Sequence, residues 1–224
     1  MVYGLLPLRN GPESPPRLRS TVARALKPNA VAIRAEPVVA YTPCWGHGTV
    51  PLTMKLFSQA FLDELTAKAG ASPRLRANHN IHASPADPVQ RFFIAAQRDS
   101  YFRPHRHLTK SELALVIRGR FDILTFAADG AVTGRYRVGS DTPNIGFETP
   151  QATWHTLLAV TDGAAFLEIK EGPYDPANAA EFASWAPPEG HESVPAYQQW
   201  LREAQPGTAA FAHGGRQGFS GSAR

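Results

Sequence analysis

From residue 74 onward, hydrophobic and polar positions alternate with a period of two, in short runs that turn-forming residues separate. Successive side chains of a β-strand point to opposite faces, so this period predicts strands. The runs follow one another as RLRANHNIH, VQRFFIAAQ, ELALVIRG, FDILTFA, VTGRYRV, GFETP, WHTLLAV and AAFLEIKEG. Short strands at spacings of about ten residues predict an all-β fold, an antiparallel sandwich or barrel.

Helical patterning precedes and follows these strands. KLFSQAFLDELTAKAG repeats its hydrophobic residues every three or four positions, which predicts a helix over residues 57–69. Ser58 near its start and Gly70 just past its end are residues that favour helix caps. A second short helix is predicted at 194–204, and the aperiodic Gly, Ser and Ala residues from Pro206 onward predict a disordered tail.

The composition divides the chain into three parts. Residues 1–53 are rich in Pro and Arg and lack sustained periodicity, so we interpret them as a disordered leader or as the product of a mis-assigned start, with translation beginning at Met54. An organellar transit peptide has a similar composition and stays an alternative. Residues 54–190 are predicted to form one domain, and residues 191–224 the short helix and the tail.

Charge and cysteine content narrow the function classes. Residues 1–53 carry six Arg and Lys against two acids, whereas the remaining residues hold 17 bases and 17 acids. A neutral domain disfavours nucleic-acid binding. No apolar run approaches the roughly 20 residues that cross a bilayer, and no secretory signal is evident, so no membrane partner is expected. The single cysteine, Cys44, excludes a disulfide within the chain, and a cytoplasmic location is expected.

The run PHRHLTKSELALVIRG contains the first candidates for metal binding. On a strand, His105 and His107 point the same way about 6.6 Å apart, so both rings can reach one ion, while Arg106 faces away. Glu112 has the wrong parity for the same face of a straight strand. A loop over residues 108–111 could instead form a hairpin that returns the Glu112 carboxylate alongside His107 on an antiparallel neighbour.

A fourth candidate ligand lies in ETPQATWHTLLAV, where His155 begins another strand. Three neutral imidazoles and one carboxylate suit one divalent transition metal, with one or two positions left for water or substrate. Ligand type alone does not choose among Fe, Mn, Ni and Zn, because all of them accept imidazole and carboxylate.

These residues carry a resemblance to a known family. His105-x-His107-x4-Glu112-x6-Gly119 resembles the first motif of the cupin superfamily, and Pro150-x-Ala152-x2-His155 resembles the second. The glycine that usually precedes the histidines of the first motif is absent, and Ala152 and Ala159 replace the usual Gly and Asn of the second. The departures spare the ligands and concern loop geometry.

The match is closer to the WbuC-family cupin-fold metalloproteins, which the segments SPRLRANHNIH, VQRFFIAAQ, RPHRH, WHT, KEGPY and FASWAPPEG resemble in order. The resemblance covers roughly residues 54–190. It implies a cupin jelly-roll barrel, with a short N-terminal helix and an irregular C-terminal segment, that binds a metal. It also implies an association with cell-surface polysaccharide (O-antigen, lipopolysaccharide) gene clusters and, since cupin barrels often pair through their sheets, a homodimer.

Six polar residues are the candidates for substrate contacts: Arg76, Asn80, His82, Arg91, Lys170 and Tyr174. Arg76, Asn80 and His82 share one strand face with Asn78. This face either lines a pocket or faces solvent, and the family resemblance favours a pocket. His79 belongs to the opposite, packed face. Arg91 could bind an anionic group with both nitrogens of its guanidinium, or be a surface charge. Lys170 and Tyr174 are placed to close the mouth of the pocket.

The resulting hypothesis is a metal-dependent enzyme that acts on a small polar metabolite, such as a sugar derivative, by isomerisation, epimerisation or oxygenation. The alternative is a non-catalytic module in which the metal holds a ligand or staples the barrel. Exposure of the open metal position would discriminate the two.

Overall fold

The structure is a computed structural model, and it describes residues 54–212. The elements are α1 (Gln59–Ala71), β1 (Arg76–Asn80), β2 (Val89–Ala96), β3 (His105–Arg106), β4 (Glu112–Arg118), β5 (Arg120–Phe126), β6 (Val132–Gly139), β7 (Gly146–Thr149), β8 (Trp154–Ala159), β9 (Ala164–Glu171), β10 (Glu181–Phe182) and α2 (Val194–Glu203).

The strands form two five-stranded sheets with the orders β1-β2-β9-β4-β7 and β10-β3-β8-β5-β6. Every strand pair is antiparallel. Strands that are close in sequence, such as β3 and β4, fall in different sheets, so the chain crosses repeatedly from one sheet to the other. This is a jelly-roll barrel and confirms the predicted all-β fold class.

Apolar side chains form three layers because each sheet is covered on both faces. The inner layer lies between the sheets and is centred on Phe121 and Phe166, whose rings meet edge to face with centroids 5.1 Å apart. The outer face of the first sheet packs Phe93 and Ala95 under α1. The outer face of the second sheet packs against α2, where Tyr197 is fully buried.

The first helix begins where its cap residue predicts. The Ser58 side chain accepts a hydrogen bond from the Phe61 amide, so the helix starts at Gln59 rather than at residue 57. It runs through Gly70 and ends at Ala71, two residues beyond the predicted end. The tight turn between β4 and β5 uses Gly119, whose φ of 68° is readily adopted only by glycine.

The C-terminal segment packs on the barrel. The second helix, predicted at residues 194–204, is present as α2. The disorder predicted from Pro206 onward is wrong for the first residues after it, because Thr208 and Gly207 exchange backbone hydrogen bonds with Val132 and the ring of Phe211 packs on Tyr197. The rest of the predicted tail and the predicted leader, residues 1–53, lie outside the described residues.

No helix within residues 54–212 is long and apolar enough to cross a membrane.

Candidate metal centre and adjoining pocket

The four predicted ligands meet inside the barrel. One ligand atom from each of His105, His107, Glu112 and His155 can be chosen so that all lie within 4.8 Å of one another. His105 and His155 are cross-strand partners on β3 and β8, and His107 follows directly after β3. His107, Glu112 and His155 are buried, and His105 is partly exposed.

Glu112 reaches the histidines by a route other than the predicted hairpin. It begins β4, which lies in the first sheet, whereas His105 lies on β3 of the second sheet and His107 follows that strand directly. The residues between them carry the chain across the barrel, and Glu112 points inward from the facing sheet. The predicted pairing with the strand of His107 is therefore wrong, and the odd parity of Glu112 is no obstacle because the two sheets face each other.

Backbone carbonyls hold all three imidazoles in one tautomer. The Nδ1 atoms of His105, His107 and His155 lie 2.9, 2.6 and 2.9 Å from the carbonyl oxygens of Arg103, Ala179 and Thr153. A carbonyl oxygen only accepts hydrogen bonds, so each Nδ1 must carry a proton. In a neutral ring, Nε2 then keeps its lone pair free for a metal.

The Nε2 lone pairs face other acceptors. Nε2 of His107 and Nε2 of His155 lie 2.9 and 2.8 Å from the two carboxylate oxygens of Glu112. Both nitrogens are buried and neither has a well-directed hydrogen bond. Acceptors that converge at this distance require a cation or added protons between them. The donor set could therefore hold a divalent transition metal.

The local electrostatics favour the metal-binding form of His105 and Glu112, whereas for His155 the contacts with Glu112 outweigh burial and raise the pKa. Burial, together with the neighbouring His155, lowers the pKa of His105 to about 3, so this imidazole is neutral near pH 7. Burial alone would raise the pKa of Glu112, but the contacts with His107 and His155 outweigh it and hold that pKa well below its usual value. The carboxylate is therefore ionised.

The turn before β8 tests one departure from the cupin motif. Ala152 has a φ of 59°, in the left-handed region that glycine adopts more readily. Its amide donates a 2.7 Å hydrogen bond to the carbonyl oxygen of His107. The turn thus connects the chain before His155 to the backbone of His107, another candidate ligand. Ala152 adopts a backbone conformation that is easier for glycine, the usual residue at this position of the motif.

Replacing Ala152 with glycine should therefore stabilise the fold. A left-handed non-glycine residue costs about 1–2 kcal/mol, and the extra backbone freedom of an unfolded glycine offsets about 0.5–1 kcal/mol of that gain. We expect the free energy of unfolding in urea to rise by about 0.5–1 kcal/mol. Ala159→Gly is the matched control. Ala159 lies on a regular strand and is 4 % exposed, so its replacement by glycine should lower the free energy of unfolding. A loss of stability in Ala152→Gly would contradict the reasoning.

A second buried carboxylate lies beside the centre. Glu168 on β9 is 8 % exposed, and burial together with the charge of Glu112 raises its pKa to about 7. Lys170 Nζ lies 3.0 Å from Glu168 Oε1 and 3.8 Å from Glu112 Oε2. Glu168 was not among the residues predicted from the sequence. The signal was its parity, since it shares the inward face of β9 with Phe166 and Lys170.

A pocket of about 350 Å³ adjoins the centre on the side of Lys170. Five of the six predicted substrate residues line it: Arg76, Asn80, His82, Lys170 and Tyr174. Asn78, Phe92 and Phe102 also contribute to the lining. The polar face of β1 therefore lines a concave surface rather than flat solvent-exposed sheet. His79 lies on the other face, as predicted, with its ring against Phe57 and Phe61.

Arg91 does not line this pocket, and its prediction as a substrate residue is not supported by its position. Along β2, Gln90, Phe92 and Ile94 face the pocket. Arg91 alternates with them and shares the opposite face with Phe93, which packs under α1. The arginine is exposed there, which fits the alternative of a surface charge.

Comparisons with known proteins give limited matches. Residues 57–138 match the family model described as a domain of unknown function, DUF6016. No curated protein matches the chain. Among solved structures, KdgF from Halomonas sp. is 16 % identical over 46 % of this chain and 84 % of its own, with a TM-score of 0.37.

Two further structures are similar to parts of the chain. The capsular polysaccharide assembling protein CapF from Staphylococcus aureus is 19 % identical over 50 % of this chain, with a TM-score of 0.40, and only 32 % of CapF is covered. A cupin 2 conserved barrel domain protein from Rhodopseudomonas palustris is 16 % identical over 48 % of this chain and 66 % of its own, with a TM-score of 0.36. None of these names the WbuC family, so that resemblance stays a prediction.

Proposed function

We propose that the protein is a cupin enzyme that binds one divalent transition metal through His105, His107, Glu112 and His155 and acts on a small polar metabolite. One observation carries this proposal. Two buried Nε2 atoms, whose rings are fixed with the proton on Nδ1, face the Glu112 carboxylate without directed hydrogen bonds. A resident cation relieves the repulsion between these acceptors.

A metal held there would supply a Lewis acid that polarises a substrate oxygen or activates water or dioxygen. The protein's own contribution is positioning. Lys170 lies between the Glu112 carboxylate and the pocket, so a ligand in the pocket binds next to the centre. Ferrous iron would leave oxygenation open, whereas zinc favours isomerisation or epimerisation.

The resemblance to the WbuC family extends the proposal to the cellular role. We infer a cytoplasmic protein that acts in cell-surface polysaccharide metabolism on a sugar or a sugar derivative. We also infer a homodimer, since cupin barrels often pair through their sheets.

A non-catalytic, metal-stapled binding module is the second candidate, and the burial of the centre favours it. Glu112 and His155 are 5 % and 0 % exposed. A closed site of this kind resembles structural metal sites, which leave no position for substrate. The partly exposed ring of His105 is the feature that favours an open position.

Elemental analysis of protein purified without chelators tests the first part of the proposal, with about one transition-metal ion expected per chain. Titration with azide then separates the two candidates, because an anion perturbs the spectrum of a cobalt-substituted centre only where a position is open. A cobalt spectrum that azide leaves unchanged would favour the stapled module, and protein that never retains metal would reject both.

A further inference from the structure

We propose that the pocket beside the metal centre selects a small polyhydroxylated anion, and that Lys170 is the residue that binds the anionic group. This inference rests on the proposed function and specifies the substrate class of the same site. Three features of the pocket support it. The charged side chains of the lining are cationic, Lys170 has more N–H donors free for a ligand than the two arginines, and amide and aromatic groups surround these cations.

The lining of the pocket is cationic. It contains Arg74, Arg76 and Lys170, and no Asp or Glu belongs to the lining within the described residues. Each cation pairs with a carboxylate that is not part of the lining: Glu189 for the two arginines and Glu168 for the lysine. The charged side chains of the lining itself are therefore all positive, and a partly desolvated positive lining favours anions.

The arginines are occupied by the protein itself. Arg74 binds Glu189 through two nitrogens at 2.7 and 2.8 Å. Arg76 pairs with the same carboxylate and donates a 2.7 Å hydrogen bond to the carbonyl oxygen of Tyr101. Its guanidinium also lies over the ring of Phe102, 4.8 Å from the centroid. These contacts assign Arg74 and Arg76 to holding the pocket wall.

Lys170 has donors to spare. An ammonium group has three N–H donors, and within hydrogen-bond distance Nζ has the ion pair with Glu168 at 3.0 Å. The side chain is 18 % exposed, so an anion that reaches Nζ meets a partly desolvated ammonium group. Because Nζ also lies 3.8 Å from Glu112 Oε2, an anionic group bound to it is held next to the metal centre.

The rest of the lining suits hydroxyl groups. The Asn78 amide donates to Asn80 Oδ1 at 3.0 Å, which orients the pair. This contact leaves the Asn80 amide donors and the Asn78 carbonyl acceptor for a ligand, and a hydroxyl group can pair with both kinds. Phe92 and Phe102 add apolar surface to the lining, against which the C–H groups of a sugar ring can pack.

The size of the pocket limits the ligand. Small-molecule sites commonly span about 300–1,000 Å³. A pocket of about 350 Å³ is at the lower end of that range, which fits a single sugar acid or sugar phosphate better than a sugar nucleotide.

Isothermal titration of the metal-loaded full chain with D-glucuronate, D-glucose 6-phosphate and D-glucose tests the inference. At least one anion should bind about tenfold or more tightly than glucose, the order expected for a hydrogen bond to a charged group. The tighter of the two anions identifies a carboxylate or a phosphate as the preferred group. Equal affinity for glucose and both anions, or no binding of either anion at millimolar concentration, would overturn the inference.

Lys170→Met tests the assigned residue, with Lys68→Met on the exposed face of α1 as the matched control. We expect Lys170→Met to weaken anion binding about tenfold or more and to leave glucose binding unchanged, while the control behaves as wild type. Should Lys170→Met fail to fold, Asn80→Asp, at an exposed position of β1, places a repelling charge in the same pocket and should weaken anion binding selectively.

Anion affinity that survives either variant would overturn the role of the pocket. Metal content is measured on every sample, because wild-type protein without metal rejects the proposed function, whereas full metal content without anion preference rejects this inference alone.

Discussion

Replacing His155 with alanine should abolish metal binding and the stability that the metal confers. The side chain is fully buried, its Nδ1 is held by the Thr153 carbonyl, and its Nε2 faces Glu112. No other histidine can replace it from the same position on β8. A metal present at 100 times its dissociation constant stabilises a protein by about 2.7 kcal/mol. We expect elemental analysis to find no bound metal and added metal to leave the melting temperature unchanged.

Loss of a buried ring also removes packing, so the variant has to be compared with chelator-treated wild type. Chelated wild type should regain its melting temperature when metal is added back, and His155→Ala should not. His191→Ala is the matched control. His191 is exposed, lies outside the cluster of candidate ligands and forms a hydrogen bond between its Nδ1 and Ser193 Oγ. Full metal content in His155→Ala would contradict the assignment of His155 as a ligand.

The four candidate ligands could be predicted from the sequence because their spacing carries strand geometry. Two histidines separated by one residue share a face on any strand, whatever the sheet around it. The partner sheet could not be predicted in the same way. Local pattern favoured a hairpin for Glu112, yet β3 and β4 lie in opposite sheets. Only the folded topology decides between a neighbouring strand and a facing one.

The pocket residues show a second limit of sequence patterning. Strand parity separates Arg91 from Phe92, but it does not say which face lies inside the barrel. The face that lies inside a barrel is usually the apolar one. Both faces of β2 carry apolar residues, because α1 covers the outer face of the first sheet and packs against Phe93 and Ala95. For the same reason the parity of Glu168, which groups it with Phe166 and Lys170, did not show that this face of β9 lies beside the candidate ligands.

Replacing Asp122 with asparagine should be among the most damaging single changes away from the metal centre. Asp122 is 2 % exposed and accepts hydrogen bonds from Arg135 and Arg137 on the neighbouring strand β6. Burial opposes ionisation, but both arginines outweigh it and lower the pKa of Asp122. The same Arg135 donates to the carbonyl oxygens of Leu201 and Ala204 at the end of α2, at 2.8 and 2.9 Å.

The substitution preserves shape and removes the charge, so the guanidinium of Arg135, 15 % exposed, loses its anion while it stays largely buried. Breaking a buried ion pair from one side costs about 3–5 kcal/mol. Arg137 is half exposed and stays hydrated, which places the expected loss at the lower end, about 3 kcal/mol in the free energy of unfolding measured in urea. The substitution should also destabilise the packing of α2, because carbonyl oxygens at the end of this helix accept hydrogen bonds from Arg135.

Asp141→Asn is the matched control, since Asp141 also pairs with an arginine through two contacts, at 2.9 and 2.7 Å to Arg120. Both members of this pair are about half exposed, and surface pairs of this kind contribute little to stability. The two variants make the same chemical change and differ in burial. An equal loss of unfolding free energy in both variants would show that burial does not determine how much the Asp122 ion pairs contribute to stability. The contact between α2 and the second sheet would then depend on apolar packing alone.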